Sequence, residues 1–171
     1  MQLKTALAES DYVICNLEEP FSEEGFPIEK CGENLKADPI WLEELKKIGV
    51  TATSLANNHI MDYSPSALQY TLERLNSLGI LAFGAGMSAK NAAEAKFITI
   101  DSIKFGLLSF AEEEFNCAVD YDAGANMFDP YSSFDIIRSA KSNCDYLIVL
   151  YHGGKEYFRY PSPVLKQSRF P

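Results

Sequence analysis

The sequence is poor in histidine, with two in 171 residues, and it has one tryptophan and four cysteines. Cys15, Cys31, Cys117 and Cys144 form no CxxC pair and no zinc-knuckle spacing, which excludes the familiar small zinc modules. Cys15 and Cys144 sit in apolar stretches and read as small core residues, and the simplest compartment for four unpaired thiols is a reducing one. No apolar run approaches the ~20 residues that cross a bilayer. The opening MQLKTALAES lacks the continuous apolar centre of a signal peptide, so the reading for this chain is cytoplasmic. Positive charge is also scarce. A net charge of −9 argues against a nucleic-acid partner and against adsorption to anionic lipid. The consecutive Glu112, Glu113 and Glu114 read as a solvated loop or helix start.

Hydrophobic residues make up 47% of the chain, enough for one packed domain over residues 1–171. Short β-rich runs alternate with capped helical segments, the pattern of an α/β fold with a mixed sheet. Residues 1–9 suit the end of a helix, and residues 11–15 a buried strand. A loop follows over 20–37, punctuated by Gly25, Pro27 and Gly32. Asp38-Pro39 and Ser64-Pro65 each pair a cap with a proline at the first helical position, and Gly49 and Gly79 supply the stops. Strands are expected over 50–56, 80–83, 97–100, 104–110 and 145–151. Short helices fit 89–94 and 132–142, a long irregular connection fits 111–131, and Ser162-Pro163 opens a last helix. Gly84-Ala85-Gly86 could approach a phosphate, but a lone GxG is better read as a turn.

Three polar clusters carry the chemistry. Asn16-Leu17-Glu18, Asn57-Asn58-His59 and His152 each follow an expected buried strand. Carboxyl ends of strands share one edge of an open α/β sheet, where ligands bind, so clusters far apart in sequence converge there. Carboxylate, amide oxygen and imidazole together suit a divalent cation. Taken singly, each cluster reads as a cap, a turn or a hydrogen-bonded histidine. Both histidines of the chain falling at strand ends is what favours a site.

The segments NLEEPF, SLANNHIMDYSPSAL and VLYHGGKEYFRYPSP, with TLERLNSLGILAFGAG between them, resemble in order and spacing the signature segments of the bacterial capsule synthesis (CapA, poly-γ-glutamate) family. That resemblance implies a relative of the calcineurin-like metallophosphatases: a β-sandwich flanked by helices, with a metal-dependent phosphoesterase site at the strand ends. It implies Glu18, Asn58 and His152 as metal ligands, His59 as general acid, and Asp62 as its orienting partner. It places Asn16, Asn57 and Glu156 behind the ligands or at the substrate. The implied cofactors are divalent ions (Mn, Mg, Fe or Zn), up to two in the intact domain. The implied partners are a phosphorylated or anionic polymer-related substrate and membrane-associated capsule machinery. The family's first Gly-Asp motif and its last Gly-His-x-Pro-His type motif do not occur in the sequence. The expectation is therefore a domain cut at both ends, with weak or no activity of its own and with sheet edges open to self-association. The competing expectation is a non-catalytic polymer-binding or assembly module on the same fold.

Overall fold

A computed structural model describes residues 2–163 except Glu24, Glu156 and Ser162. The elements run α1 (Gln2–Leu7), β1 (Ile14–Asn16), α2 (Ile40–Lys47), β2 (Ala52–Ser54), α3 (Ser64–Ser77), β3 (Leu81–Phe83), β4 (Ala85–Gly86), α4 (Ala89–Ala92), β5 (Lys96–Ile100), β6 (Ile103–Ala111), β7 (Gly124–Ala125), α5 (Ser133–Lys141) and β8 (Tyr146–His152). The fold is α/β. Strands β1, β2 and β3 form a parallel sheet in the order β1-β2-β3. Strands β5, β6 and β8 form a mixed sheet, with β5 antiparallel and β8 parallel to β6. The pair β4-β7 joins Gly84-Ala85-Gly86 to the long connection, so 111–131 is not wholly irregular.

Alternation along the strands sorts the side chains into layers. Ala52, Phe83 and Leu107, with Ile14, Leu81, Ile98 and Leu150 around them, fill the space where the two sheets face each other. On the outer side of the parallel sheet, Leu42 of α2 and Leu68 and Leu75 of α3 build the largest core. Leu108 and Phe110 of β6 face the other way, onto Ile136, Ile137 and Ala140 of α5. The order of layers is thus helices, sheet, sheet, helix.

Helix boundaries follow local chemistry. Asp38 Oδ1 accepts the Ile40 N–H at 2.9 Å, the expected cap of α2. Beyond Gly49 and Gly79 the next N–H reaches back to a carbonyl five residues earlier, Val50 to Leu45 and Ile80 to Leu75. Ser64 departs from expectation: it caps with no backbone partner, and its Oγ lies 2.9 Å from Ser66 Oγ instead.

Three expectations about burial are corrected. Of the strands that precede the three clusters, β2 is buried along its whole length, whereas β1 and β8 are half-open because each is the edge of its sheet among the described residues. In β8, Ile148 and Val149 lie on opposite faces and are 37% and 40% exposed. Cys15 and Cys144 are half-buried rather than core residues, since Cys15 lies on edge strand β1 and Cys144 in the turn before β8. The helix expected at Ser162-Pro163 lies almost wholly outside the described residues. No helix among the described residues is long and apolar enough to cross a membrane.

The loop 20–37 is closed at its base and pinned to α3. Ser22 N–H donates to Ala37 O and Ala37 N–H to Pro20 O. Thr71 Oγ1, fully buried, accepts the Phe21 N–H at 2.8 Å and lies 2.8 Å from Ala67 O. A Thr71→Val substitution keeps the shape but strands the Phe21 N–H. The expected loss is about 1–3 kcal/mol, read as a lower urea midpoint at unchanged slope.

Candidate metal and phosphate site

Two parallel strands deliver the first two clusters. The β1–β2 ladder extends one residue past β1, Leu17 N–H donating to Ser54 O at 3.0 Å, and the chain then releases Glu18. The β2–β3 ladder extends likewise, with Leu55 N–H on Phe83 O at 2.8 Å. Leu55, Ala56 and Asn57 are fully buried, and Asn58 and His59 emerge beyond them. Buried Ile60 and Met61 hold the following turn down, where Asp62 N–H donates to His59 O at 2.9 Å. The third cluster arrives on the other sheet: His152 is the last residue of β8 and pairs with Ala111 of β6. The clusters do meet, but across two facing sheets rather than along the edge of one.

They line a cleft of about 380 Å³ bounded by Glu18, Asn58, His59, Glu112, Glu114, Tyr151, His152, Gly153 and Gly154. His152 Nε2 lies 3.1 Å from Asn58 Oδ1 and 3.9 Å from Glu18 Oε1. Asn16 Nδ2 donates to Glu18 Oε2 at 3.4 Å. Asn57 lines none of the cleft. Its amide donates to Leu17 O at 2.8 Å and accepts the His59 N–H at 3.0 Å, tying the two strand ends together. Asn116, also buried, donates its side-chain amide to Asn57 O. Glu156 lies outside the described residues.

His59 stands on a buried ion pair. Its Nδ1 is 2.7 Å from Asp62 Oδ2, which also accepts the Leu35 N–H at 2.7 Å. Asp62 Oδ1 accepts from Lys30 Nζ at 2.5 Å, and Lys30 Nζ is 3.2 Å from His59 Nδ1. The side chains of Lys30 and Asp62 are 4% and 0% exposed.

Lys30 and Glu112 are the residues the sequence reading missed. Lys30 sits in a loop of mixed charge, where nothing marks it from Lys36. Glu112 is exposed, as read, but its Oε2 accepts the Gly154 N–H at 2.7 Å and its backbone N–H donates to His152 O. It therefore fastens the turn after β8 while lining the cleft. Burial pushes the thiols of Cys15 and Cys117 up from their ordinary value, which disfavours a thiolate at either.

The donor set bears on a cation directly. Ligand atoms about 2.0–2.2 Å from one ion lie roughly 3–3.5 Å apart. His152 Nε2 lies at that spacing from Asn58 Oδ1, at 3.1 Å, and somewhat beyond it from Glu18 Oε1, at 3.9 Å, which makes these three the candidate donors for one ion. Among the described residues no three His, Cys, Asp or Glu side chains converge, so the amide oxygen of Asn58 is needed to complete even three donors.

The chain belongs to the bacterial capsule synthesis protein family PGA_cap, whose pattern spans residues 1–168. It is similar to the capsule biosynthesis protein CapA of Bacillus anthracis, at 28% identity over 166 residues covering 92% of this chain and 40% of that protein. It is also similar to the PGA biosynthesis protein CapA of Bacillus subtilis (strain 168), at 26% identity over 162 residues covering 92% of this chain and 43% of that protein. The chain thus spans about two-fifths of the length of these relatives.

Proposed function

We propose that the cleft holds a divalent cation through Glu18, Asn58 and His152, and that the intact protein uses it on a phosphorylated intermediate of an anionic polymer. Capsule and PGA biosynthesis are named for the relatives, and this chain is assigned to the same process. The observation that carries the reading is the cleft's lining, which among the described residues holds three carboxylates and no lysine or arginine. Such a surface repels phosphate unless a cation intervenes, and it offers that cation a carboxylate, an amide oxygen and an imidazole.

A bound divalent ion would neutralise phosphate oxygens and acidify a water. The chain's own residues do the rest. His59 faces the cleft and would hand a proton to a leaving oxygen, with Asp62 fixing the ring through Nδ1. Asn57 sets the spacing between the Glu18 and Asn58 segments by bridging their backbones. Glu112 keeps the Gly153-Gly154 turn in place beside His152.

Calorimetry with Mn²⁺, Mg²⁺ and Zn²⁺ tests this on the chain and on the full-length protein. One ion per chain is expected in the full-length protein. Its affinity should fall by at least about 100-fold in His152→Ala, more than the loss of an outer-shell partner costs. If no ion binds to either, and His59→Ala/His152→Ala protein still binds polymer, the fold serves as a non-catalytic assembly module.

A further inference from the structure

Lys30 lies far from the three clusters in sequence, yet it reaches the same buried carboxylate as His59. Its loop is fastened to the 59–63 turn at several points: Ile28 N–H donates to Asp62 O at 3.0 Å, Leu35 N–H to Asp62 Oδ2, and Lys36 Nζ sits 4.6 Å over the Tyr63 ring. Lys30 is the one cation of this loop that enters the interior, with its side chain 4% exposed.

We propose that Lys30 is a positioning residue for His59: its ammonium engages Asp62 Oδ1 so that Oδ2 is left to take the proton on His59 Nδ1. This deepens the reading in which His59 serves the substrate, because it leaves Nε2 as the nitrogen available to the cleft. The distances select the tautomer. Nδ1 is 2.7 Å from a carboxylate oxygen, a separation that is attractive only if Nδ1 carries the hydrogen. The alternative, a bare Nδ1 accepting from Lys30 at 3.2 Å, would set a lone pair against a carboxylate oxygen 2.7 Å away. With its hydrogens directed at Asp62, Lys30 tolerates the N–H beside it. Without Lys30, Oδ1 loses its ammonium, and the Leu35 N–H alone does not fix which carboxylate oxygen faces the ring.

Long-range ¹H–¹⁵N correlation spectra of the ¹⁵N-labelled 171-residue chain test this, with chelator present. Only two histidines contribute signals, and His152→Ala assigns them. Followed through a pH series, the neutral ring of His59 should show a single tautomer with hydrogen on Nδ1. Lys30→Met should lose that single form and give averaged nitrogen signals. Lys30→Arg should restore it, and Lys36→Met should leave it unchanged. A folded Lys30→Met protein whose His59 signals match the wild type overturns the proposal. If Lys30→Met does not fold, Lys30→Gln takes its place. In either case a wild-type His59 carrying its hydrogen on Nε2 overturns the proposal outright. No cation or substrate enters the measurement, so its failure leaves the cation reading standing, and failure of that reading leaves this one standing.

Discussion

Asp62→Ala should cost the chain about 3–5 kcal/mol, the loss expected when one partner of a buried ion pair is removed. The carboxylate is fully buried and does three jobs at once: it pairs with Lys30, accepts from His59 Nδ1 and accepts the Leu35 N–H. Its removal strands an ammonium that is itself 4% exposed and takes away the acceptor of the Leu35 N–H. A loss of this size is a large fraction of the stability of an ordinary domain, so the variant should unfold at a clearly lower urea midpoint and temperature than the parent chain. Lys30→Met should be destabilising too, by less, because Asp62 keeps the Leu35 N–H. The double variant Asp62→Ala/Lys30→Met decides the matter, since it buries no unpaired charge. It should be more stable than Asp62→Ala alone, with a coupling of about 2 kcal/mol by urea unfolding. If the single losses simply add, the pair is not acting as one buried unit.

That same pair marks how far the sequence could be read. The polar clusters were legible because each interrupts an apolar or β-branched run abruptly, and such a break at a strand end has few other meanings. Asn57 and Asn58 show the limit of that signal. They are adjacent and chemically identical, yet one is fully buried and bonded to Leu17 while the other lines the cleft. Which way each turns depends on the path of the chain after β2, and no local pattern encodes that path. The helices were legible through their caps and their closing glycines, because these are contacts within a few residues.

Strand partnership is different, since it joins distant segments. The run at 145–151 is apolar enough to read as a buried strand, but among the described residues it lies at the sheet edge and leaves Ile148 and Val149 open. The division into two facing sheets was likewise invisible strand by strand. It arises because β3 hands the chain through β4 and α4 to β5, which pairs with β6 rather than with β3. Lys30 was illegible for a related reason. Its loop carries lysines at 30 and 36 with one acid, Glu33, between them, and only the folded turn at 59–63 distinguishes the lysine that goes inside.

Gly84→Ala should be the most damaging single-carbon change near the site. Gly84 ends the third strand with φ at +88°, and a Cβ there would sit 1.9 Å from Ser109 Oγ and 2.9 Å from Ala56 Cβ. The left-handed backbone costs a non-glycine residue roughly 1–2 kcal/mol, and overpacking a core typically adds about 1–3. A loss of about 2–5 kcal/mol is therefore expected in urea or thermal unfolding. Ser109→Ala separates the two parts. Ser109 Oγ is buried without a hydrogen-bond partner among the described residues, so its deletion alone should be neutral or mildly stabilising. Combined with Gly84→Ala it should recover part of the overpacking loss and none of the backbone strain. The strain also has a path to the cleft. Gly84 O accepts the Asn126 N–H, Asn126 O accepts the Ala111 N–H, and Ala111 pairs with His152. The Gly84→Ala/Ser109→Ala protein, refolded and compared by calorimetry in the full-length background, should therefore bind a divalent cation more weakly than Ser109→Ala alone. Equal affinity would mean that the facing sheets absorb the shift before it reaches His152.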